Sequence, residues 1–146
     1  RLWQARHDLY WATRARRKGC ELHTADICVP ISRLADSIEA ARADLDASFL
    51  TGQIVGHVGD GNYHAAYLVM PGDDAELAEA ERLSHLLAER ALQVGGTVSG
   101  EHGIGLKKLK YLAEEHGPEA VAAMQAIKAA LDPAGIFNPG KMGQAG

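Results

Sequence analysis

The chain contains little of what defines several protein classes. Its 146 residues include two cysteines, and aromatic residues make up only 5%. Cys20 and Cys28 fit neither a zinc-finger nor a CxxC spacing, so a disulfide scaffold is not expected. No apolar run approaches the ~18 residues of a membrane span. The net charge of −4 gives no reason to expect a nucleic-acid partner.

Targeting signals are also missing. No signal peptide is recognisable, and the low cysteine content favours a reducing compartment. We therefore expect a cytoplasmic location, with peripheral association on an inner membrane left open. The chain begins at Arg1 without an initiator methionine, and we expect it to be part of a longer protein. The sequence does not decide whether a homo-oligomer forms.

The spacing of apolar residues predicts one α+β domain over residues 1–146. Helices are predicted over 2–17, 32–46, 74–94, 106–115 and 118–131, and strands over 24–30, 52–58, 63–70 and 97–99. The middle of the chain thus follows the order βαββαβ. This is the ferredoxin-like order, an antiparallel sheet with helices on one face, here followed by C-terminal helices.

The hairpin between the second and third predicted strands carries the first chemical motif. Asp60-Gly61 favours a two-residue turn, which would place His57 directly opposite His64. Opposed residues lie on one face with Cβ atoms about 5 Å apart, so two imidazoles there could share one metal ion. Two ordinary surface histidines are an equally weighted reading of this pair alone.

A second motif follows in a glycine-flanked loop, where Glu101 and His102 stand between Gly100 and Gly103. With the two histidines of the hairpin, the carboxylate would complete a two-His, one-carboxylate site with an open position, suited to Zn, Mn, Fe or Co. Taken alone, the loop also fits an exposed turn. A metal-dependent hydrolase could use the same set, and a non-catalytic ligand-binding module is the third alternative.

Three ordered segments resemble a known family. They are His57 to His64 (HVGDGNYH), Ser99 to Gly105 (SGEHGIG) and Ile136 to Lys141 (IFNPGK). They resemble the C-terminal cap domain of FAD-linked oxidases of the vanillyl-alcohol-oxidase type. The opening segments LWQARH and DICVPISRL look closest to the cytochrome-linked D-lactate dehydrogenase branch.

The resemblance implies specific roles for five residues. His57, His64 and Glu101 would bind a divalent metal, such as Zn, Mn or Fe. His102 would act as the catalytic base, and Arg6 would bind the substrate carboxylate. The implied activity is the flavin-dependent oxidation of a small D-2-hydroxy acid.

The same comparison addresses the cofactor and the substrate. Asn138 and Lys141 would lie near FAD, which an N-terminal domain outside this chain would mainly bind. Members acting on D-2-hydroxyglutarate have a lysine where this chain has Thr24 and an asparagine where it has Ala66, so a monocarboxylate such as D-lactate is expected. Glycolate and D-2-hydroxyglutarate remain alternatives. A quinone, a cytochrome or an electron-transfer flavoprotein would accept the electrons.

Overall fold

The computed structural model describes residues 2–57 and 59–142, and for residues 2, 3 and 5–7 it describes the backbone alone. Within these residues the helices are α1 (Leu2–Ala15), α2 (Leu34–Ala47), α3 (Asp74–Gln93), α4 (Leu112–His116) and α5 (Pro118–Leu131). The strands are β1 (Glu21–Cys28), β2 (Gly52–His57) and β3 (Asn62–Val69). Short 3₁₀ turns at Ile31–Arg33 and Leu109–Tyr111 precede α2 and α4.

The predicted α+β class is confirmed by a three-stranded antiparallel sheet, in the order β1-β3-β2. The predicted strand over 97–99 is reduced, within the described chain, to one bridge between Thr97 and Cys28. The next residue, Val98, turns away because its side chain is buried in a cluster with Tyr111. Its N–H donates to Glu115 at 3.2 Å. The chain therefore leaves the sheet after a single pair.

Two other predicted elements differ in extent. β1 begins at Glu21 rather than at residue 24, because its first residues pair with the end of β3, for example Glu21 with Val69. The helix predicted over 106–115 is a 3₁₀ turn followed by the short α4. Bonds from Lys108 N to Gly105 O and from Tyr111 N to Lys108 O span three residues and tighten this segment.

The hydrophobic core lies on one face of the sheet. α2 and α3 pack there, and the side chains that they bury against the sheet are Leu34, Ala41, Leu45, Ala80, Leu83, Leu87 and Ala91. Ile27 and Tyr63 are the largest strand residues that are fully buried, at 1% and 0% exposure. α3 begins at a capped end, where Asp73 accepts a hydrogen bond from Glu76 N at 3.0 Å.

The other face of the sheet carries the opposite set of side chains, because successive residues in a strand point to opposite sides. Helix α1 runs on this side and contributes Leu9 and Tyr10 to a cavity. The segment after α1 is held by an ion pair between Arg17 Nη1 and Glu76 Oε1 at 2.7 Å. Glu76 Oε2 also accepts from Met70 N at 2.7 Å. Through Glu76, the segment after α1 is therefore linked to the residues that connect β3 and α3.

Cys20 and Cys28 are both free thiols, with Cys20 buried and Cys28 partly buried. Among the helices of the described ranges, none is long and apolar enough to cross a bilayer.

Candidate functional site

An open cavity of about 700 Å³ lies on the sheet face opposite the core helices. Its floor is formed by strand residues that include Thr24, Gln53 and Ala66, and one side carries His57, His64, Glu101 and His102. All four residues that the two sequence motifs single out therefore line one cavity, although 37 positions separate His64 from Glu101 in the sequence (101 − 64).

The hairpin that carries the two histidines has a different register from the predicted one. His57 pairs with Asn62, and His64 pairs with Val55. β2 ends at His57 and β3 begins at Asn62, so the connection is longer than two turn residues, and Asp60 N donates to His57 O at 2.9 Å. The prediction that His57 lies directly opposite His64 is wrong.

The two histidines nevertheless lie on the same face, because the pairing is displaced by two residues and side chains alternate with a period of two. They are diagonal neighbours instead of opposed ones. Their ring centroids are 6.0 Å apart, with the ring planes at 80°. A displacement by one residue would have placed the imidazoles on opposite faces.

The loop after the Thr97 bridge brings a carboxylate between these rings. Glu101 Oε1 lies 3.0 Å from His64 Nε2 and 3.9 Å from His57 Nε2. One ligand atom from each of the three residues lies within 4.8 Å of the others. Ligands about 2.1 Å from a tetrahedral ion are roughly 3.4 Å apart, so the donor set fits one divalent cation after small adjustments.

His102 lies beside this group rather than within it. Its Nε2 is 3.7 Å from Glu101 Oε1, and its ring centroid is 5.4 Å from that of His64. The side chain of His102 is 57% exposed and that of His64 is 13% exposed. The ring of His64 is thus the more buried of the two, and the ring of His102 is open to the cavity.

Burial lowers the pKa of His64 below its usual value, although the neighbouring Glu101 carboxylate acts in the opposite direction. A low pKa keeps the imidazole neutral near pH 7, which is the form that binds metals. Its Nδ1 is buried and has no hydrogen-bond partner among the described residues. These residues do not supply the carboxylate or carbonyl that usually orients a ligating histidine.

Asp26 is a further residue of the site that sequence reasoning missed. It lies on β1 opposite His64 and is 2% exposed. Its Oδ2 accepts from the backbone N–H groups of Glu101 at 3.1 Å and His102 at 3.4 Å, and its Oδ1 accepts from Lys108 Nζ at 2.6 Å. Burial acts to raise the pKa of Asp26, but the bonds from Lys108 and Glu101 outweigh it and the pKa lies below the ordinary value. An acid between Ala25 and Ile27 in a strand was the available signal.

Asn62 and Gly100 fix the other side of this loop. Asn62 is 5% exposed and its Nδ2 donates to Ile27 O at 3.0 Å. A Cβ atom at Gly100 would lie 1.7 Å from that Nδ2. The loop can approach the sheet this closely because residue 100 has no side chain.

The remaining predicted site residues are not brought to the cluster by described contacts. The backbone of Arg6 belongs to α1, but its side chain lies outside the described residues. Asn138 and Lys141 are exposed in the tail after α5, where Lys141 N donates to Asn138 O at 3.0 Å. The described hydrogen bonds do not connect this tail to the histidines.

A smaller cavity of about 270 Å³ lies between β1, α3 and residues 107–111. Its main polar groups already have partners. His85 Nδ1 is 2.7 Å from Tyr111 Oη, and His85 Nε2 is 3.2 Å from Glu89 Oε1. The four residues of the two sequence motifs line the larger cavity instead, and we therefore take that cavity as the candidate site.

Comparison with known proteins agrees with the resemblance seen in the motifs. Residues 1–142 match the family described as FAD linked oxidases, C-terminal domain. The chain belongs to this family.

Among similar proteins, the probable mitochondrial D-lactate dehydrogenase of Danio rerio is 49% identical over 142 residues, which is 97% of this chain and 29% of that protein. The mitochondrial D-lactate dehydrogenase [cytochrome] of Arabidopsis thaliana is 44% identical over 141 residues, or 97% of this chain and 25% of that protein. A mitochondrial D-2-hydroxyglutarate dehydrogenase of Danio rerio is 40% identical over 116 residues, or 80% of this chain and 21% of that protein.

These comparisons bear on two expectations. The chain spans 24–29% of the length of the four D-lactate dehydrogenases that it matches. The expected cytoplasmic location is wrong, because four D-lactate dehydrogenase relatives, at 39–49% identity, are named as mitochondrial proteins. The low cysteine count that suggested the cytoplasm indicates only a reducing environment, which does not identify one compartment.

Proposed function

We propose that this chain supplies the metal-binding and substrate-binding residues of a flavoprotein that oxidises a D-2-hydroxy monocarboxylate, with D-lactate favoured over glycolate. The observation that carries the proposal is the convergence of His57, His64, Glu101 and His102 on one cavity. Relatives named D-lactate dehydrogenase at 49% and 44% identity over 97% of the chain support this substrate class.

The metal would be held by His57 Nε2, His64 Nε2 and Glu101 Oε1. Zn, Mn and Fe all accept this mixed nitrogen and oxygen donor set. A divalent ion bound there would supply Lewis acidity, which lowers the pKa of a substrate hydroxyl. The neutral state of His64, favoured by its burial, fits a ligand that must present a lone pair.

The chain's own residues would bind the substrate and move its proton. His102, exposed toward the cavity, would accept the hydroxyl proton, because histidine exchanges protons readily near neutral pH. The Arg6 guanidinium would hold the carboxylate by paired hydrogen bonds. Asn138 and Lys141 would lie beside FAD, and the chemistry that FAD would supply when bound is that of a hydride acceptor. The balance is D-lactate to pyruvate, with one proton on the base and one hydride on the flavin.

The cavity floor supports a monocarboxylate substrate. Thr24 and Ala66 face each other across the β1–β3 pair, and Gln53 pairs with Ala66 from β2. All three line the cavity and none carries a positive charge. A second substrate carboxylate at this point would lose hydration without gaining a cationic partner, which is costly.

We also propose that residues 1–146 form the C-terminal part of a cap domain and that the main FAD-binding domain lies elsewhere in the protein. The match to a C-terminal domain family and the partial coverage of relatives support this arrangement. The single antiparallel bridge between Thr97 and Cys28 supports a fourth-strand position beside β1, as in a ferredoxin-like sheet. Electrons would leave to a cytochrome, a quinone or an electron-transfer flavoprotein.

The first experiment separates the base from the metal ligands. In the intact protein, His102→Ala should lower kcat by roughly 10²–10⁴-fold and leave the metal content by elemental analysis unchanged. His57→Ala and His64→Ala should each lose the metal. His116→Ala, at the end of α4, is the matched control and should change neither quantity. Full turnover by His102→Ala would contradict its role as the base.

A second experiment tests the substrate. The intact protein should oxidise D-lactate with a higher kcat/KM than D-2-hydroxyglutarate. The double variant Thr24→Lys/Ala66→Asn should shift this ratio toward the dicarboxylate by at least about tenfold, since a missing partner for a buried charge is supplied. A parent protein without flavin absorbance, or one that hydrolyses esters or amides, would refute the proposed reaction.

A further inference from the structure

The segment that carries Glu101 and His102 has little support of its own. Residues 100–104 have no regular secondary structure. Within the described part of the chain, the main chain of these residues makes two hydrogen bonds. The N–H groups of Glu101 and His102 both donate to Asp26 Oδ2. Both of these main-chain hydrogen bonds therefore go to one side chain of the neighbouring strand.

Asp26 also binds Lys108, which lies four residues beyond this segment. Lys108 Nζ donates to Asp26 Oδ1 at 2.6 Å and to the backbone O of Asp26 at 2.9 Å. Asp26 pairs across the sheet with His64. One buried carboxylate thus connects the strand pair that presents His64 with the loop that presents Glu101 and His102, and with Lys108 beyond that loop.

We propose that Asp26 and Lys108 are positioning residues, which set the Glu101 carboxylate and the His102 ring against the hairpin histidines. This inference rests on the proposed function and extends it to two residues that touch neither metal nor substrate. The Asp26 carboxylate uses both oxygens, one for the two loop amides and one for the ammonium group. An amide could not replace it, because it has only one acceptor oxygen.

A purely structural ion pair makes a different prediction. Replacing both members of such a pair by apolar groups often leaves stability unchanged or raises it. A positioning pair would lose the loop geometry in the same double variant, even where the fold recovers. A structural role and a positioning role of the Asp26–Lys108 pair can therefore be distinguished by measuring stability and site geometry on the same set of variants.

The variants are Asp26→Asn, Asp26→Leu, Lys108→Met and the double variant Asp26→Leu/Lys108→Met, all made in the intact protein. The control is Asp44→Asn, which breaks the partly buried ion pair between Asp44 and Arg90. In this pair Arg90 Nη2 donates to Asp44 Oδ1 at 3.0 Å. Asp44 lies on α2, on the core side of the sheet, and does not contact the loop. It should reduce stability without affecting the site.

Two readouts are needed. The first is hydrogen exchange at the amides of Glu101 and His102 in metal-free protein, where protection should fall at least tenfold in both single variants at Asp26. The second is titration with Zn²⁺ alone, where Kd should rise roughly 10–100-fold, as for other groups that orient metal ligands. The double variant should regain thermal stability and keep the weak zinc binding.

The outcomes are distinct. Parental protection of both amides in Asp26→Asn and Asp26→Leu would overturn the positioning role, as would parental zinc affinity in the double variant. A parent that binds no zinc would refute the proposed metal site, while the exchange measurement still decides whether Asp26 orders the loop. Loss of protection in Asp44→Asn would assign the effect to general destabilisation and also overturn the inference.

Discussion

Gly100→Ala is the substitution with the clearest structural consequence at this site. The added Cβ would lie 1.7 Å from Asn62 Nδ2 and 3.2 Å from Ile27 O. Ordinary van der Waals contact begins at 3.4 Å, so the loop and the Asn62 amide must separate by about 1.7 Å (3.4 − 1.7). Either the amide or the loop must move.

The loop is the part that we expect to move. Asn62 is 5% exposed, belongs to the central strand β3 and donates to Ile27 O at 3.0 Å. Displacing its amide would leave buried polar groups unpaired, at a cost of about 1–3 kcal/mol. Residues 100–104, by contrast, are tied to the sheet through Asp26 in the described hydrogen bonds.

A shift of this size is large compared with what a metal site tolerates. Ligand distances in such sites hold to within about 0.2 Å, so Glu101 would no longer reach an ion bound at the proposed site. The Kd for Zn²⁺ should rise at least about tenfold, or roughly 1.4 kcal/mol. Isothermal titration of the intact protein measures the Kd for Zn²⁺. Thermal unfolding of the same protein shows whether the variant is still folded.

Two further variants make the test specific. Gly105→Ala is the matched control, because a Cβ there meets nothing within 4 Å, and its zinc affinity should equal that of the parent. Asn62→Ala/Gly100→Ala removes the obstructing amide and should bind zinc more tightly than Gly100→Ala alone. Parental zinc affinity in a folded Gly100→Ala protein would refute the argument that the loop position depends on this contact.

Three predictions concern the scaffold. Ile27→Ala, at a core position with 1% exposure, should lower the free energy of unfolding by about 2–5 kcal/mol in denaturant titration; a loss under 1 kcal/mol would contradict the assigned core. Tyr63→Phe removes the hydroxyl that lies 2.7 Å from Ser37 Oγ and should cost about 0.5–1.5 kcal/mol, measured the same way. The hydrogen bonds from Arg82 lower the pKa of Glu79 to about 2 from 4.5. The ion pair between these residues therefore stabilises the fold above pH 4.5, and this contribution is lost as the pH falls toward 2. Glu79→Gln should flatten acid unfolding over that interval by less than about 1 kcal/mol, as for other exposed pairs, and an unchanged acid profile would speak against the ion pair.

The sequence predicts the composition of the site better than its geometry. Each of the four cluster residues stands in a glycine-rich motif, where small neighbours leave space for a ligand. Asp26 and Lys108 were missed because their partner positions, 82 residues apart, carry no local pattern. Asn62 belongs to the hairpin motif, but its contact with Gly100 is visible only after the loop folds back on β3.

The hairpin shows the same division. Asp60-Gly61 correctly marks a chain reversal, but the pattern does not determine the length of the connection, and the predicted register was wrong by two residues. The prediction that His57 and His64 lie on the same face is confirmed, because a displacement by an even number of residues keeps a side chain on its face. The fourth predicted strand was lost because the burial of Val98 beside Tyr111 competes with pairing to β1.

The amino-acid sequence by itself determined the α+β class, the approximate helices and strands, and the residue types that meet in the cavity. These follow from local periodicity and from side-chain chemistry, which each short segment carries without its neighbours. Tertiary structure alone decided the register of the two histidines, the anchoring of Glu101 to Asp26 and the contact of Gly100 with Asn62. Each of these depends on burial and pairing between segments that are distant in the chain, and only the folded packing selects among the alternatives.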